Sequence, residues 1–162
     1  MAVFDKKFTA NNFDTRFGSC HQDWPTPDEL FDPVEAEFHF TLDAAADVTN
    51  ARAIKFFSTT DNSLKQDWGK HVVWLNPPYG ARTGKLVDWV RKSSDAAAKG
   101  ATVVMLILAR TNTNWFHEIC LKYGEVRFIK GRPKFGGAQH GLPQPLCFVI
   151  FRPRGSSISS IK

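Results

Sequence analysis

Cysteine is scarce in this 162-residue chain: Cys20, Cys120 and Cys147 make an odd count, with no CxxC pair and no Cys/His ligand spacing. That excludes a disulfide framework, and reduced, buried thiols in a cytosolic protein are expected. Nor do the histidines form a centre. His21, His39, His71, His117 and His140 pair with no nucleophile or ligand set, so neither a catalytic histidine nor a metal is expected. Long hydrophobic runs are missing too: none approaches the about 18 apolar residues of a membrane span, and Met1 to Phe8 has no apolar signal core. Neither secretion nor membrane insertion is expected. Internal repeats and interdomain linkers are absent.

What is present is one domain's worth of chain, able to bury about 70% of the surface it would expose unfolded. The net charge of +5 is unevenly spread. Residues 110–154 hold eight Lys/Arg against two Glu, while the rest holds thirteen Lys/Arg against fourteen Asp/Glu. A positive face of this kind suits a phosphate backbone; a solvated basic surface is the plainer alternative.

Residues 1–22 show no sustained period and read as an N-terminal arm. Residues 23–154 read as the single domain, and the Ser-rich stretch 155–162 as a disordered tail. Thr26-Pro27-Asp28-Glu29 has the form of a helix start, with Thr26 as N-cap and Pro27 at the first helical position, and Pro33 should end or kink that helix early. Phe38 to Leu42 alternates as a strand closing on Asp43, then the small run Ala44-Ala45-Ala46. A short helix and a loop through Asp61-Asn62-Ser63 are expected within 44–66.

Val72 to Leu75 reads as a buried strand, and Leu86, Trp89, Val90 and Ala97 keep helical spacing up to Gly100. Ala101 to Leu108 is the continuous apolar run of a central strand covered on both faces. A second helix is expected over Thr113 to Lys122, ending near Gly124. Val126 to Ile129 and Leu146 to Phe151 should pair antiparallel, because their connection is too short for a crossover helix. That connection, with 131–145 at its heart, mixes cations, glycines and one aromatic and could serve in recognition. Strand-helix alternation with one terminal hairpin indicates a doubly wound α/β domain.

The most specific stretch is Asn76-Pro77-Pro78-Tyr79, directly after the strand Val72 to Leu75. The bland reading is a loop that ends a buried strand, with Tyr79 packed on the rim. The chemical reading is a seat for a planar amino group. The lone pair of such an amine is delocalised into its ring and must be localised before it can attack an electrophile. Two acceptors do this: the side-chain oxygen of Asn76 and the carbonyl of Pro77 each take one N–H, drawing the nitrogen towards tetrahedral geometry. Proline presets its carbonyl direction and brings no competing N–H. Tyr79 would stack on the base, offsetting part of the few kcal/mol needed to extrude it from a duplex.

An ordered set of segments resembles the phage-type, Dam-like DNA adenine-N6 methyltransferases. It runs Trp24-x-Thr26-Pro27-x-x-Leu30-Phe31, Phe40-Thr41-Leu42-Asp43-Ala44-Ala45-Ala46-Asp47, Leu64-x-x-Asp67-Trp68, Trp74 to Tyr79, Trp115-Phe116 and Gly131-Arg132-x-x-Phe135. The resemblance implies a Rossmann-like, S-adenosylmethionine-dependent methyltransferase fold: a largely parallel, seven-stranded sheet with its last strand inserted antiparallel. It implies site-specific transfer of methyl from S-adenosylmethionine to a flipped adenine of double-stranded DNA, in the bacterial or phage-infected host cytoplasm, without metal. Asn76, Pro77, Pro78 and Tyr79 would be catalytic.

By the same resemblance Asp43, with Ala44 and Ala45, would lie beside the methionine part of the cofactor. Asp67 would accept from its adenine, and Trp68 would pack nearby. Trp24, Thr26 and Pro27 would close over the carboxylate, which a helix N-terminus can bind without a cation. Two departures stand out. Alanines replace the glycines usual after the first strand's acid, and the acid for the ribose hydroxyls is left between Asp47 and Asp61. For DNA, Arg82, Arg110, Arg132 and Lys134 are the candidate phosphate contacts, with base readout by Arg132 a bolder option. The same chemistry on RNA or a protein glutamine, or a catalytically silent nucleic-acid-binding protein, are the rival readings. The oligomeric state stays open, with a monomer as one possibility.

Overall fold

The protein is described by a computed structural model covering residues 25–78, 85–136 and 140–154. The arm 1–22, the tail 155–162, and Trp24, Tyr79 and Arg82 lie outside the described residues.

Among the described residues one sheet of five strands runs β1 (Leu42–Asp43), β2 (Val72–Leu75), β3 (Thr102–Leu108), β5 (Leu146–Phe151), β4 (Glu125–Phe128) in spatial order. The expectation of seven strands is thus corrected to five. β1, β2 and β3 are parallel, with Leu42 opposite Val73 and Leu75 opposite Met105. β5 is antiparallel to both β3 and β4, so the last strand is inserted against the grain and the terminal hairpin forms as read. Beyond β1, residues 55–57 run along the edge: the Asp43 N–H bonds the Lys55 carbonyl at 2.9 Å, and the Phe57 N–H bonds the Asp43 carbonyl at 2.9 Å.

Alternation along the strands divides the core in two. Val103, Met105 and Ile107 of β3 and Cys147, Val149 and Phe151 of β5 face α2 (Leu86–Ala98) and the turn around Phe116. Val104, Leu106 and Leu108, with Leu146, Phe148 and Ile150, face α1 (Asp28–Phe38). A sheet buried on both faces is what a continuous apolar run requires. Trp74 is the keystone of the α1 side, edge-on to Phe31 at 5.1 Å and tilted against Phe40 at 5.4 Å.

The other departures from the sequence reading are local. Helix α1 is not capped by Thr26; Pro27 occupies the cap and its carbonyl accepts from Leu30 and Phe31. Pro33 neither ends nor breaks it, because burial of Phe31, Val34 and Phe38 on one stripe outweighs the about 3 kcal/mol of an interior proline. The chain leaves α1 through His39 in the left-handed region, φ 55°. No α-helix forms in 44–66; its place is taken by the edge segment and two 3₁₀ turns, Thr59–Asp61 and Ser63–Lys65. The helix expected over 113–122 forms over 114–123 and ends at Gly124, but its middle, Phe116–Cys120, is wound as a π-helical turn before Leu121–Tyr123.

Cys120 and Cys147 are free and buried, as expected. Burial pushes both thiols up to about 12, so neither is a nucleophile at neutral pH. No helix among the described residues is long and apolar enough to cross a membrane.

Gly124 ends the helical stretch for a reason of space. Its backbone is extended, but a Cβ there would lie 2.8 Å from Val149 Cγ1 and 2.9 Å from the Cys120 carbonyl oxygen. Gly124→Ala should therefore lower the unfolding free energy by about 1–3 kcal/mol in denaturant titration; an unchanged midpoint would show that β5 can yield there.

Candidate active site

The parallel strands β1, β2 and β3 end at one edge of the sheet, and the site collects there. α1 runs back antiparallel to the strand that follows it, which brings its N-terminal end to the same edge. Asn76 follows Leu75, and by alternation it falls on the face of Trp74, the face that carries α1. Its side-chain Nδ2 donates to the Thr26 hydroxyl at 3.3 Å. Thr26 is 4% exposed, so this bond is shielded from water. Pro77 is buried and Pro78 half-buried, which leaves the turn little room to move.

Asp43 ends β1 and is 2% exposed. Its Oδ1 accepts the Ala45 N–H at 3.2 Å and its Oδ2 the Arg52 N–H at 3.0 Å. Burial pushes its carboxyl up to about 6, against the two amide hydrogen bonds and the more distant Arg52 charge, which pull it down. Ala44 is fully buried with its N–H on the Trp74 carbonyl at 3.0 Å, while Ala45 and Ala46 are half-buried.

One participant was missed in the sequence. Arg52 connects three of the pieces: its backbone holds Asp43, its guanidinium donates to the Thr26 carbonyl, and it lies 2.7 Å from the Asp28 carboxylate and 4.8 Å over the Phe31 ring. A cation is therefore built into the start of α1, where none was expected. Nothing in Asn50-Ala51-Arg52-Ala53 marks it except a lone charge among small residues.

Asp67 is exposed on the turn before β2, with Oδ1 on the Gly69 N–H at 3.0 Å. Trp68 is fully buried; its ring joins the α2-side core and its Nε1–H bonds the Ser63 carbonyl at 3.2 Å. Its role is to brace the 63–67 turn from beneath. Ser63 itself is buried, and its Oγ has no partner among the described residues. Asp47 and Asp61 are both engaged locally. Asp47 accepts the Thr49 hydroxyl and its N–H, and Asp61 accepts the Ser58 hydroxyl and its N–H, the hydroxyl bond first and the amide second holding each carboxyl below the usual range. Asp61 follows the edge segment at the same end of the sheet as Asp43.

The cations divide between the two ends. Arg127 and Arg152 form a cluster with Glu37 and Glu125 where α1 ends, β4 begins and β5 ends; Arg127 lies 2.5 Å from Glu37 and Arg152 3.1 Å from Glu125. Arg154 lies 4.6 Å over Tyr123. These belong to the fold, so the basic C-terminal third is less free than its composition suggests. Arg110, Arg132 and Lys134 are exposed at the opposite end, on loops leaving β3 and β4 at the same end of the sheet as Asn76. Phe135 is buried on the α1 side and the Leu142 N–H bonds the Pro133 carbonyl at 2.9 Å, so the one aromatic of that loop anchors it to the sheet.

A family model described as DNA N-6-adenine-methyltransferase (Dam) matches residues 16–156. The DNA N-6-adenine-methyltransferase of Escherichia phage T1 is 35% identical over 109 residues, which are 66% of this chain and 44% of that protein. That of Haemophilus phage HP1 is 30% identical over 142 residues, 81% of this chain and 79% of that protein. The chain thus matches less than half the length of the T1 relative.

A buried carboxyl with a raised value makes a definite pH prediction. The native state holds its proton up to about pH 6, whereas the unfolded chain releases it near 3.8. The stabilisation is complete below the lower value and disappears as pH rises through the upper one, a change of up to about 3 kcal/mol. Asp43→Asn should remove that decline between pH 4 and 6 from the unfolding free energy. A slope identical to that of the parent chain would contradict the burial argument.

Proposed function

Because the chain belongs to the DNA N-6-adenine-methyltransferase (Dam) family, we propose that it transfers a methyl group from S-adenosylmethionine to the exocyclic N6 of an adenine flipped out of double-stranded DNA. The observation that carries the reading is the tethered Asn76, two residues along the chain from the Trp74 that pairs with a buried Asp43, at the edge of the sheet where open α/β folds bind ligands. The inserted antiparallel strand supports the methyltransferase form of the fold.

The residues fit the cofactor. Asp43 is a buried carboxylate whose donors are two backbone amides, so its ionised form is completed by a cationic ligand group such as an α-ammonium. Ser63 offers an unpartnered buried hydroxyl beside the Asp67 turn. Asp67 accepts from the cofactor's adenine, with Trp68 bracing that turn; Trp24, Pro27 and the free amides of α1 close over the carboxylate. Ala44 and Ala45 let the ligand approach the backbone. When bound, the cofactor supplies an electrophilic sulfonium methyl and departs as S-adenosylhomocysteine.

This chain's own part is alignment. Asn76 Oδ1 and the Pro77 carbonyl accept the two N6 hydrogens and aim the lone pair, and Tyr79 stacks on the extruded base. N6 loses its proton after it has become cationic, so no strong base is needed. Alignment of this kind is worth effective molarities of about 10⁵ M or more. Arg82, Arg110, Arg132 and Lys134 grip the phosphates around the extruded base. Cations gathered on the catalytic edge favour a polyanion over a glutamine loop.

Mass analysis of nucleosides from duplex DNA incubated with chain and cofactor should find N6-methyladenine. Asn76→Ala should cut turnover on the order of 100-fold, with cofactor affinity kept. Transfer to RNA or to a glutamine peptide alone would move the substrate, and absence of cofactor binding would favour a silent scaffold. Arg132→Gln or Lys134→Gln should each lower the slope of log affinity against log salt by about 0.9; an unchanged slope removes that residue from the phosphate contacts.

A further inference from the structure

Asn76 has to present one particular end of its amide. The oxygen can accept from an amine; the nitrogen can only donate, and would repel the target N–H. A free side chain rotates about its last bond, so the amide needs a tether that holds its plane in place.

We propose that Thr26 is the positioning residue that tethers Asn76 in its reactive orientation, and that Arg52 holds Thr26 in place for the purpose. The inference rests on the methyltransferase reading above. Asn76 Nδ2 donates to Thr26 Oγ1 at 3.3 Å, which engages the nitrogen end and leaves Oδ1 as the acceptor. Thr26 is not a helix cap: Pro27 occupies that position and no side chain caps α1, so the hydroxyl is not drawn into ordinary capping. It is 4% exposed, so water does not compete for it.

The position of Thr26 is in turn set from behind. The Arg52 guanidinium donates to its carbonyl, pairs with Asp28 two residues along, and stacks on Phe31, while the Arg52 N–H bonds Asp43. Four residues on four separate segments thus form one chain of contacts, Asp43, Arg52, Thr26 and Asn76. Occupation of the Asp43 side and orientation of the catalytic amide are mechanically joined through it. The hydroxyl of Thr26 accordingly serves catalysis through Asn76, and cofactor contact in this segment falls to its backbone and neighbours.

The test is a double-mutant cycle on methyl transfer to duplex DNA with cofactor affinity measured in parallel. Thr26→Val preserves shape and removes the hydroxyl. It should lower kcat about tenfold and leave cofactor Kd within about twofold, whereas Thr26→Ser should recover most of the loss. In an Asn76→Ala background Thr26→Val should cost nothing further. Full turnover by a folded Thr26→Val, losses that multiply in the double variant, or a raised cofactor Kd at unchanged kcat would each overturn the assignment. If the unaltered chain binds cofactor and methylates no adenine, the reaction itself falls and this role with it; an active parent with an equally active Thr26→Val sinks the role alone.

Discussion

The carboxyl group of Asp43 is the point on which the local structure turns. It is almost wholly removed from water, and its two oxygens are held by the amides of Ala45 and Arg52. Its own backbone joins β1 to the edge segment on one side, while β2 lies on the other, with Asp43 opposite Trp74. A buried carboxylate without a paired cation is costly, and folds keep one when something outside the chain completes it. The cost sits at the sheet edge where the remaining parts of the site converge.

Rigidity elsewhere serves that edge. The α1-side core is dominated by aromatic rings, with Trp74 packed against Phe31, Phe40 and Phe148. Trp74 lies two residues before Asn76, so the packing that fixes the ring also fixes where the Asn76-Pro77-Pro78 turn begins. Phe31 has a second duty, since its ring also supports Arg52. Glu37, Arg127, Glu125 and Arg152 tie the far end of α1 to β4 and β5, where Arg127 hydrogen bonding holds Glu37 below the usual carboxylate range. These pairs are half exposed and contribute little to stability individually. Their effect is to spend two cations at the end away from the site.

Much of this was legible in the residues. The run Ala101 to Leu108 read as a doubly covered strand, and the terminal hairpin followed from a connection too short to cross over. Local signals failed where tertiary contacts outweighed them. Thr26-Pro27 has the letters of a cap, yet its hydroxyl is taken by an amide fifty residues away. Pro33 has the letters of a helix stop, yet three buried side chains carry the helix past it. Residues 44–66 have no period to read, because turns and one edge strand are held by contacts to β1. Arg52 carries no motif, and its importance exists only in three dimensions. Asp43 and Asp67 were named by resemblance alone, and only the fold shows that Asp43 is buried and Asp67 exposed.

The most direct measurement is the titration of the Asp43 carboxyl by carbon NMR, with and without S-adenosylmethionine. The account predicts a value near 6 in the free protein, moved well downward when a cationic ligand group takes its place beside the carboxylate. A free value near 4, or one that the cofactor leaves unmoved, would contradict the claim that Asp43 is the buried charge the cofactor completes.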